Sequence, residues 1–248
     1  VAYDTWVDKN RNNRRDKDEH IVGDFQLMRE MGCNVIRLFN TYDIDKELLR
    51  DLHKTYGIRV LICDFFGAYT VHSQASWNEG TDYAHPDQRR LMKEAILKTV
   101  AECKDEPWLL GYVLGNENNM PLAYSGVNAS RTQAAGQPKE YALFLNEVAA
   151  EIHKLDKGHP VGVGNMGLGL VEAYARYAPE LDFIGVNDYP GPDGFGALWI
   201  RAKKLIDRPV LVTEYGCDAY WTGRGLDEEA QAAYHRNAWE DIAYNAAG

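Results

Sequence analysis

The chain has 248 residues and a formal net charge of −10. A chain of this length can bury a sizeable core, and we expect residues 1–248 to form a single domain. Its charges are dispersed, and a net negative charge repels a phosphate backbone, which argues against a nucleic-acid partner. No apolar run approaches the roughly 20 residues that span a bilayer, and the N-terminus lacks the pattern of a signal peptide.

Apolar runs alternate with amphipathic stretches, which predicts repeated βα units around a parallel sheet. We predict strands at residues 34–39, 58–63, 109–114, 161–164, 183–186 and 210–213. Their continuous apolarity predicts burial on both faces. We predict helices at residues 21–31, 45–56, 86–103, 139–157, 169–177, 196–206 and 227–246. Gly32, Gly57 and Gly158 follow three of these helices, since glycine accepts the left-handed conformation of a helix C-cap.

Two architectures fit this order of elements. One is an open, doubly wound sheet. The other is a (β/α)8 TIM barrel that lacks most of strand 1 and all of strand 8, with residues 1–3 as the end of strand 1. We favour the barrel, as a segment of a longer chain, because polar residues gather after the strands as they do at the active face of such barrels. These residues are Asn40, Tyr42, Asp64, Asn116, Glu117, Asn118, Asn119, Asn165, Asn187, Asp188, Tyr189 and Glu214.

Two glutamates each close an apolar run. Glu117 follows the run at residues 108–115 and Asn116, and Glu214 follows residues 209–213. Carboxylates at the C-terminal ends of parallel strands face each other across one pocket, as cleavage of a glycosidic bond requires. Cleavage with retention needs a nucleophilic carboxylate and a carboxylic acid roughly 5 to 5.5 Å apart. Arg37 and Tyr189, which also lie at strand ends, are candidates to keep Glu214 ionised.

These motifs resemble those of the clan A glycoside hydrolases, which are retaining (β/α)8 enzymes. Residues 32–37 resemble the clan's second strand, residues 115–117 its acid/base strand, residues 182–189 its sixth strand and residues 212–216 its nucleophile strand. The catalytic barrel of family 2 is the most similar, through the Asn-x-Tyr at residues 187–189 and through Arg37. The run Leu-Gly-Tyr before Gly-Asn-Glu also resembles β-1,3-glucan-remodelling barrels.

The resemblance implies a role for each matching residue. Glu117 is expected to be the acid/base and Glu214 the nucleophile. Asn116 is expected to bind the sugar 2-hydroxyl, while Arg37 and Tyr189 hold Glu214 ionised. The implied mechanism requires no redox or nucleotide cofactor.

Further residues at the strand ends are candidates for substrate binding. Tyr220 and Trp221 follow Glu214 closely, and aromatic rings can stack on the faces of sugar rings. Family 2 β-galactosidases have a metal-binding Asp-Glu after strand three; this chain has Asp64 followed by phenylalanine, so that magnesium site is not expected. The substrate-binding candidates are Arg37, Asn40, Asp64, Asn116, Asn187, Tyr189, Tyr220 and Trp221.

Residues 8–19 match the oxygen-ligand spacing of a twelve-residue calcium loop. The ligand positions are Asp8, Asn10, Asn12, the Arg14 carbonyl, Asp16 and Glu19. Asn13 stands where the loop usually has glycine, and no helix is predicted before it. The two interpretations are a structural calcium site, which would order the first βα loop, and a solvated charged loop.

Two functions are compatible with these patterns. The first is a retaining β-glycoside hydrolase or transglycosylase acting on a β-linked oligo- or polysaccharide through a covalent glycosyl-enzyme. The second is a catalytically silent carbohydrate-binding barrel. The opposed carboxylates favour the enzyme, because a binding module has no need of two of them. A polysaccharide substrate would imply a secreted or periplasmic location.

Overall fold

The computed structural model describes residues 4–6, 16–17, 21–39, 44–67, 73–122, 130–221, 223 and 225–246. The predicted strand end at residues 1–3 lies outside these residues. An antiparallel pair comes first, with β1 at Asp4–Trp6 and β2 at Ile21–Gly23. The predicted helix at residues 21–31 is therefore wrong at its start, and α1 spans Asp24–Glu30. Residues 21 and 22 are β-branched, which favours the strand.

Within the described residues, six parallel strands form one sheet. They are β3 (Val35–Leu38), β4 (Arg59–Asp64), β5 (Leu109–Asn116), β6 (Val161–Met166), β7 (Phe183–Asn187) and β8 (Val210–Glu214). Each strand pairs with the next one along the chain. A doubly wound sheet reverses its strand order at a switch point, so this sequential order excludes that alternative.

The sheet is curled, because side chains from its two outermost strands contact each other. The guanidinium of Arg37 on β3 lies 2.7 Å from the carboxylate of Glu214 on β8. In a flat sheet, five strand spacings of about 4.8 Å would separate β3 from β8 by about 24 Å. With helices between successive strands, this curled sheet is a partial (β/α)8 barrel, as the sequence predicts.

The helices between the strands lie close to their predicted positions. They are α2 (Lys46–Tyr56), α3 (Pro86–Cys103), α4 (Pro138–Leu155), α5 (Val171–Tyr177) and α6 (Leu198–Lys203). After β8 come a short antiparallel hairpin, β9 (Tyr220–Trp221) and β10 (Gly225–Leu226), and then α7 (Glu228–Asn245). The predicted end of α4 is wrong: Asp156 leaves the helix, and its carboxylate accepts a hydrogen bond from the Gly158 N–H.

The core lies between the sheet and the helices around it. Met92, Ile96 and Val100 recur along α3 at four-residue spacing and are buried, as an amphipathic helix requires. The outer strands differ from the prediction of burial on both faces: the side chains of β3 are half-buried, and Leu211 on β8 is exposed. Outer strands have a neighbour on one side, which leaves them less covered. Of the helices in the described residues, none has the length and apolarity needed to cross a membrane.

The C-cap of α2 provides a test of local backbone strain. Gly57 has φ of 71°, and a Cβ added there would meet no atom within 4 Å. Replacement by alanine should therefore cost about 1 kcal/mol through the left-handed backbone alone. In urea denaturation, Gly57→Ala should be destabilised, whereas Gly136→Ala, which is equally uncrowded but not left-handed, should not be. Equal effects of the two substitutions would contradict this explanation.

Candidate active site

The two candidate carboxylates lie at the C-terminal ends of β5 and β8, and each of these strands carries a bulge there. On β5 the register shifts between Leu114 and Asn116, and Gly115 has φ of 78°. Glu117 itself has φ of 54°, a conformation that costs a non-glycine residue about 1 to 2 kcal/mol. Its N–H donates to the Gly164 carbonyl, which holds this backbone in place. Bulges of this kind redirect side chains, and here they lie immediately before both glutamates.

Glu214 lies between two hydrogen-bond donors. Nη1 of Arg37 is 2.7 Å from its Oε1, and the Tyr189 hydroxyl donates to its Oε2 over 2.9 Å. Partial burial and the hydrogen bond to Glu214 raise the pKa of Tyr189, which therefore stays a neutral donor. The Arg37 side chain is 9% exposed and that of Glu214 is 20% exposed, so water screens this ion pair only weakly. The sequence predicts both partners of Glu214.

Arg37 also contacts three further groups. Its Nη2 donates to Oδ1 of Asn116 over 2.6 Å and lies 3.5 Å from Sγ of Cys63. The guanidinium also lies over the ring of Phe39, at 4.7 Å from the centroid. Burial raises the pKa of the Cys63 thiol, although the nearby guanidinium opposes this. Cys63 is not among the site residues that the sequence predicts; its place in β4, next to Asp64, is the signal that could have found it.

Glu117 has a different environment. Nδ2 of Asn187 donates to its Oε1 over 3.0 Å. Burial raises the pKa of Glu117, and the negative charge of Glu214 acts in the same direction. The Asn187 hydrogen bond and the charge of Arg37 oppose that rise. The two carboxylates therefore differ in their surroundings, because Glu214 is paired directly with a cation and Glu117 is not.

Asn118 joins the ends of β4 and β5 beside the site. Its side chain is buried, its Oδ1 accepts from the Asn116 N–H, and its Nδ2 donates to the carbonyls of Phe65 and Phe66. The same nitrogen also contacts the Tyr83 hydroxyl. The sequence places Asn118 at the active face without a role. The structure gives it one, which is to hold the loop that carries Glu117.

The remaining substrate-binding candidates are more dispersed. Asp64 is buried, and its Oδ1 accepts from the Phe66 N–H in the turn after β4. Tyr220 on β9 is 64% exposed. The Trp221 backbone also lies in β9, but its side chain is outside the described part of the structure, as is all of Asn40. The roles assigned to these four residues stay predictions.

The candidate calcium loop lies almost wholly outside the described residues. Of its ligand positions only Asp16 is described; the others are Asp8, Asn10, Asn12, Arg14 and Glu19. Elsewhere, within the described part of the chain, no group of three His, Cys, Asp or Glu side chains is arranged to hold a metal ion. The calcium site therefore stays a prediction of the sequence.

A cavity of about 880 Å³ adjoins the site and has Tyr189 in its wall. Its walls come from the loops after β7 and β8 and from the first turns of α7. Aromatic rings line it, including Tyr215, Tyr234 and His235, together with the carboxylates of Asp218 and Asp227. The volume lies within the roughly 300 to 1,000 Å³ that is typical of small-molecule sites.

The fold is a partial (β/α)8 barrel with two carboxylates at the C-terminal ends of its strands. By sequence, no protein-family model and no curated protein matches the chain. Solved structures of glycoside hydrolases and of a glucanosyltransferase do match it. At 16% identity, this likeness establishes the fold, and it agrees with the clan A resemblance at that level.

Three of these structures illustrate the match. The β-D-glucuronidase of Dictyoglomus thermophilum has a TM-score of 0.62, with 89% of this chain and 37% of that chain covered. The endo-1,4-β-D-mannanase of Thermotoga petrophila RKU-1 also has a TM-score of 0.62, with 90% and 80% covered. The β-1,3-glucanosyltransferase of Rhizomucor miehei has a TM-score of 0.54, with 85% and 71% covered. This chain thus spans well under half of the glucuronidase.

Removing one partner of the ion pair between Arg37 and Glu214 should destabilise the fold. Arg37→Met would leave a poorly solvated carboxylate without its cation, and we expect a loss of about 3 kcal/mol. Neutralising both residues, in Arg37→Met with Glu214→Gln, should recover part of that loss in a double-mutant cycle measured by urea denaturation. Arg90→Met is the control, because the pair of Arg90 with Glu94 is exposed and should be worth under about 1 kcal/mol. Similar costs for the two arginines would contradict the expectation.

Proposed function

We propose that this chain is a retaining β-glycoside hydrolase or transglycosylase acting on a β-linked oligo- or polysaccharide. The observation that carries the proposal is the unequal environment of the two carboxylates. Glu214 receives hydrogen bonds from Arg37 and Tyr189, which suits a group that must stay ionised to attack. Glu117 accepts a hydrogen bond from the neutral amide of Asn187, and burial raises its pKa, which suits a group that must carry a proton.

The proposed reaction has two steps. In the first, a carboxylate oxygen of Glu214 attacks the anomeric carbon while Glu117 gives its proton to the departing glycosidic oxygen, which leaves as an alcohol. In the second, the ionised Glu117 takes a proton from water or from a sugar hydroxyl, whose oxygen attacks the same carbon and releases Glu214. Two inversions give net retention. Water as the acceptor makes the enzyme a hydrolase, and a sugar makes it a transglycosylase.

The fold supports this proposal without deciding the substrate. Glycosidases and a glucanosyltransferase that act on β-linked sugars share the partial barrel. Within the clan we propose family 2 as the nearest relative, on the strength of Arg37 and of the Asn-x-Tyr that ends with Tyr189. If the substrate is a polysaccharide, the enzyme would act outside the cytoplasm, as a secreted or periplasmic protein.

The second candidate is a catalytically silent carbohydrate-binding barrel. The exposed Tyr189 and the aromatic lining of the neighbouring cavity would serve binding alone. Binding alone does not account for the ion pair beneath Tyr189 or for a second carboxylate in a left-handed backbone conformation. Labelling with a 2-fluoro glycoside separates the candidates, because a covalent adduct on Glu214 requires an active nucleophile.

Substitution of each carboxylate should affect a different step. Glu214→Ala should lower kcat at least about a thousandfold on any aryl β-glycoside, and azide should restore turnover with the opposite anomeric configuration in the product. Glu117→Ala should lower kcat/KM mainly for substrates with poor leaving groups, because these need protonation in the first step. A panel of β-glucoside, β-galactoside, β-mannoside and β-glucuronide provides the substrates, each as the 4-nitrophenyl glycoside, which has a good leaving group, and as the methyl glycoside, which has a poor one. Glu229→Ala, at an exposed position of α7, is the control. Full activity in both site variants would refute the proposal.

The cavity beside Tyr189 favours a substrate longer than one sugar. Ala230 lines it, so Ala230→Trp should fill space without altering either carboxylate. We expect kcat/KM for a 4-nitrophenyl β-trisaccharide to fall about tenfold, a change of about 1.4 kcal/mol, with little change for the monosaccharide glycoside. Ala232→Trp is the control, because this exposed residue of the same helix is not in the cavity wall. Equal losses on both substrates, or none, would contradict a role for the cavity.

A further inference from the structure

Asn187 has a fully buried side chain in which both amide atoms are engaged. Its Oδ1 accepts from the Thr213 hydroxyl over 2.7 Å, and its Nδ2 donates to Oε1 of Glu117 over 3.0 Å. The same Nδ2 lies 3.4 Å from Oδ1 of Asn116. A buried amide with these partners has little hydrogen-bonding capacity left for a substrate. The sequence-based assignment of Asn187 to substrate binding therefore differs from what its contacts indicate.

One guanidinium determines the direction of all these hydrogen bonds. Arg37 can only donate, so the Asn116 atom 2.6 Å from it must be the carbonyl oxygen. The Asn187 atom that faces this oxygen and the carboxylate of Glu117 must then be the amide nitrogen. The other amide atom of Asn187 is consequently an acceptor, which leaves the Thr213 hydroxyl as its donor.

The result is a continuous chain of hydrogen bonds between the two carboxylates. It runs from Glu214 through Arg37, Asn116 and Asn187 to Glu117. Thr213 donates to Asn187 within this series of hydrogen bonds, and it lies at the bulge that shifts the register between β7 and β8. In that shift Val186 pairs with Val212 and Asn187 pairs with Glu214, so Thr213 is the additional residue.

We propose that Asn187 and Thr213 are positioning residues for the acid/base: Thr213 orients the Asn187 amide, and the amide holds Glu117 and favours its ionised form. This inference rests on the proposed function. In double displacement, Glu117 must be protonated for the first step and ionised for the second. Burial favours the protonated form, and the Asn187 N–H stabilises the ionised form that the second step needs.

The groups that face Glu117 come from three other strands. Glu214 on β8 and the loss of solvent raise its pKa, while Asn187 on β7 and Arg37 on β3 lower it. Removing the Asn187 donor leaves the other three influences in place, so the pKa of Glu117 must rise. Removing the Thr213 hydroxyl would leave the Asn187 amide free to turn away from Glu117. This should also raise the pKa of Glu117, but by less.

The test is the pH dependence of kcat/KM on the methyl glycoside of the most reactive of the four sugars, whose poor leaving group needs the proton of Glu117. Because the first step needs protonated Glu117, a higher pKa moves the basic limb to higher pH. We expect an upward shift of about one pH unit in Asn187→Ala, a smaller upward shift in Thr213→Val, and none in Thr213→Ser, which keeps the hydroxyl. A merely structural role would lower the rate without moving this limb.

Pre-steady-state kinetics provide the second readout. Asn187→Ala destabilises the base form of Glu117, so the second step should slow more than the first, and the glycosyl-enzyme should accumulate as a larger burst of nitrophenol. An unmoved basic limb in both Asn187→Ala and Thr213→Val would overturn the inference. If the wild-type chain forms a Glu214 adduct but the limb does not move, the inference alone fails; if no adduct or turnover is found, the proposed function fails with it.

Discussion

The donor-only guanidinium of Arg37 is the constraint on which the site depends. Arg37 lies on the first strand of the six-stranded sheet and binds Glu214 on the last, so its ion pair requires the sheet to curl into a barrel. The same group donates to Asn116, the last residue of β5, directly before Glu117. The strand ends that carry the two carboxylates therefore contact the same cation. A single partly desolvated charge thus connects the curvature of the fold with the relative positions of both carboxylates.

The chemical difference between the glutamates follows from their distance to that charge. Glu214 receives the guanidinium and the Tyr189 hydroxyl directly. Glu117 accepts a hydrogen bond from the neutral amide of Asn187, and burial raises its pKa. Two identical side chains therefore have different surroundings, because one contacts a cation and the other a neutral amide.

The chain is similar in fold to glycosidases with which it shares little sequence, and this similarity has a physical explanation. A partial barrel recurs at 16% identity because βα units with buried parallel strands tolerate many apolar substitutions. What defines a site on such a scaffold is a small set of side chains at the strand ends. In this chain, those side chains are linked into one hydrogen-bonded chain, and the bulges on β5 and β8 are the backbone features that direct them.

The sequence by itself determined the alternation of strands and helices, the C-cap at Gly57 and the placing of Glu117 and Glu214 at strand ends, because periodicity and capping act over a few residues. It missed the strand at residues 21–23, where pairing with a distant segment outweighs the helical pattern. Only the tertiary structure decided the hydrogen bonds from Arg37 to Asn116, from Asn187 to Glu117 and from Thr213 to Asn187. Arg37 and Asn116 are 79 positions apart, and contacts over such distances arise from packing that no local pattern encodes.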